Sequence, residues 1–433
     1  MAANDDTAQW GLWKWFQRGT LAIVDQALIA GSNFLVSVLL ARWLEPAQYG
    51  AFALAYSVFT LFATFHTAII TEPMMVFGAG KYAPRFRKYL AMLLCGHVGL
   101  TVPFGVLFFL AALFIGPLYS RDVQAAFLGL AAATPLILLL WLVRRALYVQ
   151  LQPARAASGA AIYATCLIAA VFLLRAYGVI SQSTVFLCMG ASALLVSLLF
   201  LASLRPRWRG APNPTPAMVA AEHWRYGRWA LGTAALTWVP TNVYYVALPL
   251  WVGLEGTAAL KALMNLVMPA LHSTGALSLL ILPVLARQLK DHRARARHTT
   301  SRFALLFAAG SLAYYLFLLA FRSRLMDILY KGKYQEFSEL ILFIGLLPLA
   351  ISLVAVFGSA LRAGERPDAV FWAYAASSAL TFLGGLLLAS QLGVFGAVCG
   401  LLLGSFCTAV VMALFCRRFF SAEAPPAPPP APA

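Results

Sequence analysis

The feature that most constrains this chain is a succession of long apolar segments separated by short polar turns. Twelve such segments are present, of about 20 residues or more, the length that an α-helix needs to cross a hydrocarbon core of roughly 30 Å. Of the 433 residues, 62% are hydrophobic and only 11% are charged. Because a soluble fold cannot bury that much apolar surface, the sequence predicts an all-α integral membrane protein. The predicted membrane helices are residues 19–41, 48–78, 89–118, 123–147, 157–178, 180–204, 229–252, 257–285, 303–321, 338–361, 368–390 and 393–416.

Basic residues are distributed unequally between the loops. If the amino terminus is cytoplasmic, the segments on its side of the membrane contain 24 of the 32 Lys and Arg residues, and those on the opposite side contain eight. An excess of Lys and Arg is typical of cytoplasmic loops. We therefore predict a multi-pass protein of the cell inner membrane with both termini in the cytoplasm. The formal charge of +17 follows from these loop anchors, so nucleic acid is not an expected partner.

The two halves of the chain resemble each other. The pair Leu44-Glu45 recurs as Leu254-Glu255, and Ala146-Leu147 recurs as Ala360-Leu361, at offsets of 210 and 214 residues. Because each half has an even number of helices, both enter the membrane in the same orientation and can face each other across a cleft. We predict two pseudo-symmetric six-helix bundles around a central cavity. They comprise residues 19–204 and 229–416, with an N-terminal cytoplasmic segment (1–18), a cytoplasmic linker (205–228) and a Pro-rich cytoplasmic tail (417–433).

Charged residues within apolar segments are the candidates for function. Asp25 lies about two turns inside the first predicted helix, where an unpaired charge costs about 2.5–3.5 kcal/mol at the centre of the bilayer. It should therefore face protein or water, and we interpret it as functional. Arg144, Arg145, Arg225 and Arg228 lie at helix ends, where they act as interface anchors or line a cationic cleft; the anchor interpretation is favoured. Pro240, near the middle of the seventh helix, is a candidate hinge because proline removes a backbone donor.

Sequence motifs of enzymes are absent. The chain contains no GxxxxGK[ST], HExxH or GxSxG pattern, and its six cysteines form no CxxC pair. We therefore expect a protein that is not an enzyme and that uses neither a cofactor nor a metal site.

One segment carries a family resemblance. Residues 31–54 begin with Gly31-Ser32-Asn33-Phe34, and the turn between the first two helices reads Leu40-Ala41-Arg42-Trp43-Leu44-Glu45-Pro46-Ala47-Gln48-Tyr49-Gly50. This resembles the "LAR-x-L-x-P-x-x-Y-G" pattern of polysaccharide exporters in the multidrug/oligosaccharidyl-lipid/polysaccharide (MOP) superfamily. The resemblance implies a Wzx-like flippase that moves a polyprenyl-diphosphate-linked oligosaccharide to the outer leaflet for cell-surface polysaccharide or lipopolysaccharide biosynthesis.

The resemblance also implies where substrate binds. In this family, helices 1, 2, 7 and 8 line the cavity, and their basic residues meet the diphosphate. Matched by helix position and charge, the implied substrate-binding residues are Arg18, Asp25, Arg42, Glu72, Arg228 and Lys261. The partners implied are the lipid-linked oligosaccharide, membrane lipids, a glycan polymerase or glycosyltransferases, and H⁺ or Na⁺ as coupling ion.

Two alternatives are left open. The first is a cation-coupled drug or metabolite antiporter of the same superfamily, which would use Asp25 as its ion site. The second is a non-transporting membrane scaffold of a glycan-assembly complex, which would depend on the loop from Arg205 to Arg228 and not on Asp25.

Overall fold

A computed structural model describes residues 3–115, 119–208 and 214–421; the side chains of 3–18, 229, 279–280 and 290–291 are not described. The described chain forms twelve long helices. They are α1 (Ala3–Trp43), α2 (Pro46–His66, the π-helical turn Thr67–Thr71 and Glu72–Ala79), α3 (Phe86–Phe114), α4 (Arg121–Val149), α5 (Pro153–Ala176), α6 (Gln182–Leu204), α7 (Pro216–Ala247), α8 (Pro249–Asp291), α9 (Arg293–Tyr330), α10 (Gln335–Leu340, Ile341–Ile344 and Leu347–Ala363), α11 (Pro367–Leu380, the π-helical turn Thr381–Gly385 and residues 386–392) and α12 (394–421).

Ten helical stretches in the described part of the chain are long and apolar enough to cross a membrane. The last of them, Pro367–Ser421, contains both α11 and α12, which are separated by the non-helical Gly393. α7 is less apolar and is not among the ten, but it packs against α2 of the first half and α11 of the second. With α7 and the division at Gly393, the count is twelve, and the predicted all-α membrane fold is confirmed.

The two halves pack their helices in the same pattern. In the first half, α1 packs on α5, α3 on α4, and α4 on α6; in the second half, α7 packs on α11, α9 on α10, and α10 on α12. Each second-half pair is the first-half pair moved on by six helices. Between the halves, α2 packs on α7 and α8, and α1 packs on α8. The fold therefore consists of two six-helix bundles that meet along α1, α2, α7 and α8.

Helix ends differ from the predicted ones where helices continue beyond the apolar segments. Within the predicted linker 205–228, α7 begins at Pro216, where the Thr215 side chain accepts a hydrogen bond from Met218 N at 3.3 Å. Pro216–Arg228 is polar, so a rule based on apolar length does not detect it as helix. α8 and α9 likewise extend past 257–285 and 303–321. The tail is helical to Ser421, and residues 422–433 lie outside the described part.

The turn between α1 and α2 shows what the sequence motif does. Pro46 occupies the first turn of α2, where its missing N–H costs nothing. Glu45 N donates to the Gln48 side chain at 3.4 Å and so fixes the start of the helix. Gly50 packs directly against the Leu254 carbonyl, where a Cβ would lie only 1.9 Å from the oxygen. The motif therefore builds a close contact between the two bundles.

Candidate functional site

The cleft between the bundles is closed at one end. We call the membrane side with both chain ends the termini side and the opposite side the far side. At the far side, Tyr49 of α2 is fully buried and bonds to Ser37 of α1 at 2.9 Å and to Asn265 of α8 at 2.9 Å. Ser37 also donates to Asn265 at 3.0 Å. These residues, with Gly50 and Leu254, form the far-side seam.

Three further contacts extend the closure to the loops. Arg42 donates to the Ile328 carbonyl of α9 at 2.9 Å, and Lys333 donates to the Leu44 carbonyl at 2.7 Å. The Tyr119 hydroxyl donates to the Pro249 carbonyl. Each contact joins one bundle to the other, so all must break if the cleft is to open on the far side.

At the termini side, α1 and α8, which meet in the far-side seam, lie apart. Residues 32–44 of α1 and 254–267 of α8 are mostly buried, whereas one residue of 19–31 in α1 and three of the described residues of 271–289 in α8 are buried. Gly31 and Gly275 have open space where a Cβ would point. The cleft therefore opens on the termini side between α1 and α8.

α2 and α7 remain in contact on the termini side. His223 of α7 contacts the π-helical turn of α2, with Nδ1 2.8 Å from the Ile69 oxygen. Since a carbonyl only accepts, Nδ1 carries the proton and Nε2 accepts from the Tyr89 hydroxyl at 2.6 Å. This buried histidine joins the bundles as a neutral imidazole.

An ion pair lies beside His223, outside the apolar segments. Glu222 accepts hydrogen bonds from the ammonium of Lys81 and, at 2.8 Å, from the hydroxyl of Tyr82. Partial burial opposes ionisation of Glu222, but the hydrogen bonds from Lys81 and Tyr82 outweigh it and hold the pKa of Glu222 below its usual value of 4.5. The same hydrogen bond raises the pKa of Lys81. This pair attaches the α2–α3 turn to α7.

Asp25 is buried within the first bundle and paired there. Its carboxylate has no solvent exposure and accepts from Arg144 of α4 through Nε at 2.9 Å and Nη2 at 2.7 Å. The Tyr148 hydroxyl donates to the same carboxylate at 2.5 Å, and Gln26 accepts from Arg144 at 3.2 Å. Arg144 is therefore the counter-charge of Asp25. The interpretation of Arg144 as an interface anchor is replaced by this pairing.

Lys261 of α8 lies between the bundles, beside tyrosines of α2 and α7. Its Nζ is 5.6 Å from the ring centroid of Tyr56 in α2 and 5.6 Å from that of Tyr245 in α7. Both distances are within the range of cation–π attraction. Among the described residues, no carboxylate lies within ion-pair distance of Nζ. α8 is interrupted by non-helical backbone at Val252 and Gly253. Lys261 is eight residues beyond this break, so its Cα lies roughly 12 Å further along the helix, near the closed end of the cleft.

The other predicted binding residues occupy different positions. Arg42 belongs to the far-side contacts described above. Glu72 lies at the termini side, where the Tyr226 hydroxyl donates to it at 3.4 Å and its charge interacts with Arg145. Arg228 is exposed on α7. The side chain of Arg18 lies outside the described residues. The described members of the six thus do not form one cluster: Arg42 lies in the far-side closure, Glu72 at the termini side, and Lys261 between α2, α7 and α8.

Pro240 lies within α7, which remains helical on both sides of it. The missing N–H leaves the Leu236 carbonyl unbonded within the helix, and Ser378 of α11 donates to it at 2.8 Å. Ser57 of α2 donates to the Asn242 carbonyl at 3.0 Å and so ties this part of α7 to the other bundle. The hinge at Pro240 stays a prediction.

Sequence reasoning missed the partners of the two principal charges. Arg144 and Tyr148 are separated from Asp25 by 119 and 123 residues. For Arg144, a cation one helical turn inside an apolar segment was a usable signal. For Tyr56 and Tyr245, no signal distinguishes them from other membrane tyrosines.

Comparison with known proteins adds a fold assignment. No protein-family model and no curated protein sequence matches the chain. Solved structures do. One is the inward-facing conformation of a multidrug resistance MATE family transporter of the MOP superfamily (TM-score 0.72, 13% identity, covering 93% of this chain and 94% of that one).

Two further structures have similar scores. The lipid II flippase MurJ in an inward closed conformation has a TM-score of 0.70 at 11% identity and covers 94% of this chain and 88% of that one. A MOP superfamily transporter from Pyrococcus furiosus has a TM-score of 0.67 at 12% identity, covering 94% of this chain and 95% of that one. The chain therefore has the twelve-helix fold of MOP superfamily transporters.

Proposed function

We propose that this protein is a Wzx-like flippase, which moves a polyprenyl-diphosphate-linked oligosaccharide across the cell inner membrane for cell-surface polysaccharide biosynthesis. The observation that carries the proposal is the position of Lys261. An ammonium inside a membrane protein is costly without an anion. The acidic side chains of α1, α2 and α7 with described contacts already have partners: Asp25 has Arg144, Glu72 has Tyr226 and Glu222 has Lys81. A substrate diphosphate supplies the missing negative charge.

The shape of the cleft supports an amphiphilic substrate. On the termini side, the opening lies between α1 and α8. A lipid-linked saccharide in that leaflet can place its diphosphate and sugars in the cleft while its polyprenyl chain stays between the helices in lipid. The excess of basic residues in the termini-side loops is the reason to identify this leaflet as the cytoplasmic one.

Transport then requires that the cleft open on the far side and close on the termini side. The far-side seam breaks, α1 and α8 come together on the termini side, and the headgroup is released to the opposite leaflet. Pro240 is the proposed site of bending in α7. A glycosyltransferase would supply the substrate, and a polymerase or ligase of the cell surface would consume the product.

The state of Asp25 bears on ion coupling. Its oxygens already accept three contacts from Arg144 and one from Tyr148. A Na⁺ or H⁺ would have to displace a bidentate guanidinium, the strongest arrangement of its kind. This disfavours the antiporter alternative with Asp25 as the ion site, and any H⁺ or Na⁺ coupling of the flippase would act elsewhere.

The test is transport by purified protein in proteoliposomes. One arm follows a fluorescent polyprenyl-diphosphate saccharide, and the other follows a cationic dye under a pH or Na⁺ gradient. We expect transport of the saccharide lipid, and an at least tenfold loss in Lys261→Met, since hydrogen bonds to charged groups contribute about 1.5–3 kcal/mol. Lys331→Met is the matched control, because Lys331 is an exposed far-side lysine outside the cleft.

Other outcomes identify the alternatives. Gradient-driven movement of the dye without movement of the saccharide lipid would establish the antiporter. Transport of neither substrate by a folded, correctly inserted protein would favour the scaffold. Full saccharide transport by Lys261→Met would remove the basis of the proposal.

A further inference from the structure

A second basic site lies outside the cleft, where the termini-side ends of α8, α9 and α12 meet. The chain from Ala286 to Arg302 contains six Lys and Arg residues and one acidic residue, Asp291. A pocket of about 380 Å³ lies there, lined by Arg293, Ala294, Arg297, His298, Ser301 and Phe420. It is formed entirely by the second bundle, so it is separate from the substrate cleft.

Arg293 forms one wall of the pocket and is held in place by contacts with α12. Arg293 donates to the Phe419 carbonyl, one of the last carbonyls of α12, which have no partner within their own helix. Its guanidinium also lies over the Phe419 ring, 4.3 Å from the centroid. Arg293 therefore fixes the start of α9 against the end of α12. Its Nε is buried and has no hydrogen-bond partner among the described residues.

The charge arrangement within α9 requires an anion. Arg293, Arg297 and Ser301 are spaced four residues apart and share one face, and like charges at that spacing repel each other. Arg297 and His298 are exposed. The first turn of a 38-residue helix adds further positive potential. A bound phosphate would relieve the repulsion and accept hydrogen bonds from arginine, histidine and serine.

The depth of the pocket indicates the source of that phosphate. The predicted apolar segments end at residue 285 in α8, begin at 303 in α9 and end at 416 in α12, so the pocket lies just beyond the predicted apolar segments, on the side of the lipid headgroups. Phe420 adds an apolar side to the pocket, as suits glycerol and the upper acyl chain. Clusters of Lys and Arg next to membrane helices attract anionic lipids.

We propose that this pocket binds the phosphate headgroup of an anionic membrane phospholipid of the termini-side leaflet, independently of what the cleft transports. The bound lipid would hold the α8–α9 turn and the end of α12 together. The alternative source of the same chemistry is a free phosphate from the aqueous phase, which the experiment distinguishes.

The test is native mass spectrometry of the purified full-length protein with titrated phosphatidylglycerol, phosphatidylcholine or inorganic phosphate. The wild type should retain phosphatidylglycerol in preference to phosphatidylcholine, and millimolar inorganic phosphate should not displace it. Arg297→Gln/His298→Gln should weaken phosphatidylglycerol binding at least tenfold. Ser301→Glu should do the same by placing a negative charge in the pocket while leaving both basic residues intact.

The matched control is Arg87→Gln. Arg87 is an exposed residue in the first turn of α3, the counterpart of α9 in the first bundle, and its loss should leave binding unchanged. Equal lipid binding by wild type, Arg297→Gln/His298→Gln and Ser301→Glu would overturn the proposal. Displacement by inorganic phosphate would overturn the assignment to a lipid.

Discussion

Asp25 and Lys261 are both charged residues within membrane helices, but the fold treats them in opposite ways. Asp25 has a guanidinium, a phenol and no solvent exposure, all within the first bundle. Lys261 lies between the bundles with two aromatic rings and, among the described residues, no acid. The difference teaches that a buried charge alone does not indicate a binding site. A charge whose partner lies in the same bundle has a structural role, whereas one between the bundles without an acidic partner among the described residues is the one to which the proposed function assigns the substrate.

The largest expected effect is on the pair that the bundle encloses. Arg144→Ala leaves the Asp25 carboxylate buried without its counter-charge, with the Tyr148 hydroxyl as its remaining donor, and we expect a loss of about 3–5 kcal/mol in stability. Asp25→Leu/Arg144→Met removes both charges and should restore most of it. The measurement is the thermal unfolding midpoint of each variant in the same detergent. If the double variant were no more stable than Arg144→Ala, the pair would have a structural role beyond mutual charge neutralisation.

The second largest effect is expected at the far-side seam, where the two bundles meet. A change in the seam should alter the surroundings of Lys261, which lies between the bundles, and leave the Asp25 pair, which lies within one bundle, unchanged. Gly50→Ala places a methyl group against the Leu254 carbonyl, so the seam cannot close. Spin labels at positions 45 and 255, on a background without native cysteines, should report a longer distance than in the parent protein.

The control for the seam is Gly31→Ala, because a Cβ at Gly31 meets open space. It should leave the distance between the labels unchanged. Unchanged distances in Gly50→Ala would mean that the seam tolerates the methyl group and is not the closure that we describe.

How much of this could be predicted depends on which property of a residue is considered. Apolar length predicted the helices, because it depends on the chain and the lipid alone, and the internal repeat predicted the two bundles. The cost of burying Asp25 was equally visible. Its partner was not visible, because a helix that is buried on several sides has no polar face from which its rotation about its own axis could be inferred. The start of α7 at Pro216 was missed for a related reason: its polar first turns are held by contacts with α2 and α3, such as His223 to Ile69.

The smallest expected effect is at the exposed pair of Glu222 and Lys81, which completes the comparison. The pKa of Glu222 in the folded protein lies below its usual 4.5. The stabilisation is therefore fully present above about pH 4.5 and is lost as the pH falls through the folded pKa. The midpoint difference between wild type and Glu222→Gln should be constant at neutral pH and should vanish in acid. A midpoint difference that grows in acid would contradict the assignment.

The most direct test of the central claim is equilibrium binding of a polyprenyl diphosphate to the solubilised protein. The account predicts that Lys261→Met binds this ligand at least tenfold more weakly than the wild type, that Lys331→Met binds it like the wild type, and that neither substitution alters affinity for the neutral polyprenol. Equal affinity of Lys261→Met and wild type for the diphosphate would contradict it.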